Sequence, residues 1–185
     1  MFECVKCGCC CRNLRVECGI WQLGLFLLPD EAKLFADADV APMWGIGVEG
    51  NGPAEVYFMQ LKTKDCPHIR DDNLCNIYPK RPLVCRGHPL SLRIDPVTSK
   101  PQAASVDTRC KGKNMPHSQQ VKLRDYFPSD ILWANVETCC YLGKMFKDAG
   151  ERVIWLYDLK TEKWIQVTRA NATRALLKPH NLYEG

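Results

Sequence analysis

Twelve cysteines in 185 residues constrain this chain more than any other feature, because they have to be bridged, bound to metal or kept reduced. Six of them, Cys4, Cys7, Cys9, Cys10, Cys11 and Cys18, fall within the first 18 residues, a stretch with little that could pack as a core without metal. An even count would allow six disulfides. The start Met1-Phe2-Glu3-Cys4 argues otherwise, since it has no basic region, no apolar stretch and no small-residue cleavage site of a secretory signal. A cytoplasmic location is therefore expected, and in that compartment thiols stay reduced and serve as metal ligands or catalytic groups.

Composition narrows the function classes further. Hydrophobic residues make up 46% and charged residues 25%, as in ordinary globular domains. A net charge of +4, from 25 basic and 21 acidic residues, is too small to indicate nucleic-acid binding. The longest apolar run, 21–28 (WQLGLFLL), is far short of a membrane span and contains Gln22 and Gly24. No Walker A motif and no CxxxCxxC triad are present, and no small-molecule substrate site is evident. Gly45-Ile46-Gly47-Val48-Glu49-Gly50 fits GxGxxG, but it lacks the strand-to-helix setting of a dinucleotide site and reads as loop.

The chain divides at about residue 113. In the first part, 20–28 reads as a buried strand or a helix start, and Pro29-Asp30-Glu31 opens a short helix to about Ala38. Residues 41–53 read as Gly/Pro-rich loop and 54–61 as a strand. Residues 90–94 and 103–106 form an expected hairpin that delivers Cys110 toward the other cysteines. In the second part, Ser129 or Asp130 caps a helix running to about Ala149 and closed by Gly150. Two strands, 152–159 and 163–168, follow around the turn 160–162, with Trp155, Tyr157 and Trp164 as an anchor patch for a partner if exposed. The expected fold class is α+β. A small, irregular, metal-stabilised cysteine-rich domain (1–113) carries a C-terminal helix and β-hairpin (114–185) packed on it.

The chemistry lies in the cysteine spacing. Cys4, Cys7 and Cys10 are separated by two residues each, like the first three ligands of a bacterial ferredoxin run. Cys11 directly follows Cys10, so one short segment can serve two metal centres. A second group is Cys66-Pro67, Cys75-Asn76-Ile77-Tyr78 and Arg81-Pro82-Leu83-Val84-Cys85-Arg86, and Cys110 follows it. With Phe2, Gly8 and Pro89, these residues resemble the CxxCxxCC (YkgJ-like) family of zinc- or iron-chelating cysteine-cluster proteins, a domain related to part of the flagellin lysine N-methylases. His88 stands where that family usually has an aromatic residue. The resemblance implies eight metal ligands, Cys4, Cys7, Cys10, Cys11, Cys66, Cys75, Cys85 and Cys110, enough for two four-thiolate centres. Arg81 and Arg86, inside the motif, are expected to offset the negative charge of the centre or to bond its sulfurs.

Iron–sulfur clusters of the [4Fe-4S] type are favoured over zinc. Only Cys4 and Cys7 form a knuckle-like pair, and Cys66, Cys75 and Cys85 are too widely spaced for another. The expected role is electron transfer, or delivery of clusters or metal to a protein partner. A zinc-binding structural module and a metal-dependent protein-modifying enzyme are the alternatives. Against the enzyme stand the lack of a recognisable S-adenosylmethionine site or acid–base pair and the short remaining length. Cys139 and Cys140 read as small hydrophobes on a helix, and Cys9 and Cys18 as spare ligands or as exposed thiols for metal transfer. His68 and His88 are near enough to the ligand cysteines to replace one of them in a site, but ordinary polar roles are expected for all four histidines, His68, His88, His117 and His180.

Overall fold

The architecture was obtained as a computed structural model, which describes residues 1–94, 101–116 and 122–176. The turn at 95–100, His117 and His180 lie outside the described residues. The fold is α+β. Its frame is a five-stranded antiparallel sheet built from both halves of the chain, comprising β3 (Leu25–Leu27), β4 (Val40–Gly47), β5 (Pro53–Leu61), β8 (Val153–Asp158) and β9 (Lys163–Val167). The spatial order is β3-β5-β4-β8-β9. The C-terminal hairpin β8–β9 joins the sheet through β4, with Trp44 opposite Leu156 and Ile46 opposite Ile154.

Two small hairpins stand outside the sheet. One pairs β1 (Val16–Cys18) with β2 (Trp21–Leu23) and the other pairs β6 (Leu90–Ile94) with β7 (Pro101–Val106). The helices are α1 (Pro29–Ala32), α2 (Leu83–Gly87), α3 (Leu123–Tyr126), α4 (Ser129–Ala149) and α5 (Arg169–Leu176). Helix α4 begins at the expected residue, but Pro128 occupies the cap position and no side-chain cap bond is formed, so neither Ser129 nor Asp130 caps it. Gly150, at φ 53°, closes the helix as expected.

Helix α4 lies across one face of the sheet. Its Cys139, Leu142, Met145, Phe146 and Ala149 share a core with Trp44, Ile46, Phe58, Ile154 and Leu156. Each such side chain contributes about 1.5–3 kcal/mol when fully buried, so this cluster dominates stability. A second cluster, Leu14, Leu27, Phe35 and Leu61, has Cys66 and Ile77 packed against it. A third, Leu90, Phe127 and Ile131, holds Phe2 and Met115. The two smaller clusters therefore fasten the cysteine segments to the frame.

Three expectations are corrected here. Residues 40–47 are the central strand and not a loop: their side chains are mostly buried, and buried strands lose the polar alternation by which strands are recognised. The helix after Pro29 is a single turn, followed by a separate 3-10 turn at Asp37–Asp39. Trp155 is buried, and Tyr157 packs edge-to-face on Trp164 at 5.4 Å, so these aromatics are packing residues and not an exposed patch. The exposed aromatics of α4 are Trp133 and Tyr141.

Buried polar side chains tie the layers together. Gln60 is fully buried, accepts from the Gly24 amide (2.7 Å) and donates to the carbonyls of Pro42 (2.8 Å) and Tyr157 (3.0 Å). It substitutes for ladder bonds where β4 is irregular near Pro42. Asn135 of α4 donates from Nδ2 to the carbonyls of Gly87 and Ile131, each at 2.9 Å, and so fixes α2 on α4. Glu31 accepts from the Leu28 amide (3.0 Å) and from the Leu83 amide at the start of α2 (2.6 Å). Helix α2 carries Cys85, and its two ends are held by these two side chains.

Candidate metal centre

Three cysteine-bearing segments meet at one end of the frame. In the first, Gly8 adopts φ 70°, a backbone conformation that side chains disfavour, and starts a 3-10 turn over Cys9–Cys11. A Cβ at Gly8 would come within 2.8 Å of Ile69 Cδ1 and 3.0 Å of Asn73 Cβ. The glycine of the motif therefore lets the first segment close onto the second. The junction continues through the Cys66 amide to the Cys11 carbonyl (2.8 Å), the Leu14 amide to the Lys64 carbonyl (2.7 Å), and Arg12 to Asn73 Oδ1 (3.0 Å).

The third segment closes from the other side. Glu3 and Lys113 exchange backbone hydrogen bonds at 3.3 and 3.0 Å, and the Phe2 amide donates to the Tyr126 carbonyl. Arg109 is clamped on Asp107 (2.8 Å) and extends its guanidinium to the carbonyls of Arg12 and Asn13. Asp107 also faces His88 at 3.9 Å. Long-range backbone pairing thus brings together segments 50–55 and 110 positions apart in the chain.

The local backbone is shaped to hold thiolates. Cys4 accepts from the Lys6 amide (3.4 Å), Cys7 from those of Cys9 and Lys111, Cys66 from those of His68 and Ile69, Cys75 from that of Ile77 and Cys110 from that of Gly112 (3.4 Å). At all five, a donor comes from the residue two positions on. Amides aimed at sulfur favour its charged form.

The thiols act on one another in two neighbouring groups. Cys11 lies 3.9 Å from Cys10 and also reaches Cys66. Its hydrogen bonds lower Cys10 to about 7 and Cys66 to about 6, from an ordinary thiol value of 9.0, while Cys11 itself is driven up. Burial pushes Cys85 and Cys75 up, and the charges of Cys10 and Cys66 add to both shifts. On the other side, burial pushes Cys110 up to about 11, and the charges of Cys7, Cys4 and Cys10 add to that. Burial also pushes Cys7 up, but the amide of Cys9, its thiol and the Lys111 amide outweigh it and the net shift is down. Cys9, hydrogen-bonded to Cys7, is raised. Among the described residues, no three His, Cys, Asp or Glu side chains are already closed around a point that would hold a single metal ion.

All eight cysteines of the motif are in this region, in contact or within electrostatic reach of one another. Arg81 lies over the Tyr78 ring at 4.1 Å, and its charge acts on Cys10, Cys75 and Cys85. Arg86 is exposed on α2 beside Cys85. His68 is taken up by the Leu34 carbonyl at Nε2 (2.7 Å) and by the Phe35 ring. Cys18 is buried in the main core, as is Cys139, whereas Cys140 is exposed. Glu31, read from the sequence only as part of a helix start, and Asn73 and Asn135, which carry no local signal, position the loops through partners at least 48 residues away.

A family model described as "Putative zinc- or iron-chelating domain", CxxCxxCC, matches residues 3–111. The chain belongs to the CxxCxxCC family. Its matched span takes in all three cysteine segments, and metal binding by the cysteine cluster is the function that the family carries. No curated protein and no solved structure matches the chain. Among the described residues, no helix is long and apolar enough to cross a membrane.

Proposed function

We propose that this CxxCxxCC protein holds iron–sulfur clusters and passes electrons or clusters to a partner protein. The observation that carries the reading is an all-thiol donor set from three segments, with backbone amides directed at five of its sulfurs. Soft thiolates select iron–sulfur clusters or zinc over hard cations. Between those two, the x2-x2 run Cys4, Cys7, Cys10 favours the cluster. A bound cluster would supply reversible one-electron exchange.

The chain's own residues supply the setting. Cys4, Cys7, Cys10, Cys11, Cys66, Cys75, Cys85 and Cys110 are the proposed ligands. Arg81 and Arg86 place positive charge beside them, and amide donors and nearby cations raise the potential of a thiolate-bound centre. Loading requires the thiol protons that now link Cys10, Cys11 and Cys66 to leave, so affinity rises with pH.

Metal and acid-labile sulfide analysis on protein purified without oxygen tests this reading. Iron and sulfide in near-equal amounts, with broad visible absorption that bleaches on reduction, is the expected result, and about eight irons per chain would correspond to two four-iron clusters. Zinc without sulfide would overturn the electron-carrier role and leave a zinc module.

A further inference from the structure

We infer that the solvent face of α4 binds a second copy of this chain, the two helices packing antiparallel about a two-fold axis that passes between Cys140 and Tyr141. The inference does not depend on which metal the cysteines hold.

The argument begins with what α4 leaves outside. Leu142, Met145 and Phe146 enter the main core, Ile131 packs with Leu90 of β6, and Asn135 bonds the end of α2. The residues turned to solvent are Trp133, Glu137, Cys140, Tyr141 and Lys144. At 3.6 residues per turn they fall within an arc of about 100°, so they make one continuous stripe. Two of them are aromatic: Trp133 is 69% exposed and Tyr141 40%. Neither is needed by the core. Trp and Tyr are the residue types enriched at protein interfaces, where they carry much of the binding energy.

The charges on the stripe identify the occupant. Glu137 and Lys144 lie seven residues apart, equally far from the midpoint between Cys140 and Tyr141. Antiparallel helices related by a two-fold axis at that point place Glu137 of each copy opposite Lys144 of the other, which makes two ion pairs. The same register lays Trp133 along the last turns of the opposite helix and sets the two helix dipoles head to tail. A parallel pair would instead set Glu137 against Glu137 and Lys144 against Lys144. The Glu137 carboxylate makes no ion pair among the described residues. Lys144 pairs with Asp148, but its side chain is 66% exposed and its ammonium has further donors to give. A patch that complements itself in this way is what a two-fold dimer requires. From Trp133 to Asp148 the contact runs about 22 Å, a small interface, so a Kd on the order of 10 µM is expected.

Sedimentation of the full chain, loaded with its metal and kept in reducing buffer, tests the inference. Wild type is expected to pass reversibly from monomer to dimer as its concentration rises through about 10 µM. Trp133→Ser should weaken the dimer about tenfold or more. Glu137→Lys and Lys144→Glu should each weaken it about tenfold, because each turns two attractions into two repulsions. Mixed one to one, these two variants should recover dimer at wild-type strength, since every pair across the axis again has opposite charges. All three positions are exposed, so metal content should match wild type in each variant. A chain that stays monomeric to about 500 µM would overturn the inference. So would a dimer that Trp133→Ser leaves unchanged, or a mixture of the charge variants no tighter than either alone.

Discussion

Removing the Asn135 amide should loosen the cysteine region from a distance, because that side chain seats α2 and α2 carries Cys85. Asn135 is 7% exposed and donates to the carbonyls of Gly87 and Ile131. In Asn135→Leu the Ile131 carbonyl keeps its place in the helix ladder. The Gly87 carbonyl lies at the end of α2, has no further turn to bond it and is left without this donor. One buried carbonyl without its donor costs about 1–3 kcal/mol. For a chain of this size, each kcal/mol lowers the melting temperature by about 2–4 °C, so a fall of roughly 2–12 °C is expected by calorimetry on the loaded protein. Because Cys85 is two residues from Gly87, metal should also leave faster to a competing chelator. Steric fit offers a second arm. A Cβ at Gly87 would lie 2.7 Å from Asn135 Nδ2 and 3.1 Å from its Cγ. Gly87→Ala should therefore destabilise wild type by about 1–3 kcal/mol, and cost much less in an Asn135→Ala background where the clash is gone. Equal costs in both backgrounds, or a melting temperature for Asn135→Leu within about 1 °C of wild type, would refute the reasoning.

Glu31→Ala removes the acceptor for the Leu28 and Leu83 amides. Hydrogen bonds to a charged group are worth about 1.5–3 kcal/mol, so the urea midpoint should fall, and metal release should quicken as in the Asn135 variant. Gln60→Leu leaves the Gly24 amide and the Pro42 and Tyr157 carbonyls without that partner. It should cost about 3 kcal/mol or more in urea unfolding, and a loss under about 1 kcal/mol would show that the sheet does not depend on it. In metal-free protein at pH 7, Cys66, held near 6 chiefly by the Cys11 thiol, should alkylate far faster than Cys110, held near 11 by burial. The Cys66 thiolate is favoured by folding, so its stabilisation is complete above the ordinary value of 9.0 and is lost as the pH falls through about 6. Cys11→Ala should return Cys66 toward ordinary reactivity, and an unchanged pH profile would remove Cys11 as the cause.

Much of the frame could be read from the sequence because its signals are local. The helix at Ser129–Ala149 shows its apolar stripe and its closing Gly150, and the strand at Pro53–Leu61 shows its β-forming residues. The hairpin Val153–Asp158 with Lys163–Val167 shows alternation on either side of a turn. The central strand at 40–47 was hidden because Pro42, Gly45 and Gly47 are usual loop residues, and only its tertiary partners on both sides make it a strand. The cysteines were visible as candidates through their spacing. Their assembly was not, since it depends on a positive-φ turn at Gly8 and on backbone contacts from a loop 50 and more residues away. Cys18 looked like a spare ligand for the same reason. It is buried in the main core with residues of the central strands and of the helix Ser129–Ala149, and that packing depends on residues far along the chain.

The pairing of β4 with β8 joins positions more than 100 residues apart, and α2 rests on a helix that begins at residue 129. A ribosome therefore releases every cysteine from Cys4 to Cys110 before it has made the strand and helix that steady them. For the time needed to add some 50 further residues, a few seconds at cellular elongation rates, the nascent chain presents reduced thiols with no finished scaffold. Stable metal insertion would then follow translation of the last sheet strands, and a chain truncated before residue 150 should emerge rich in thiols and poor in metal.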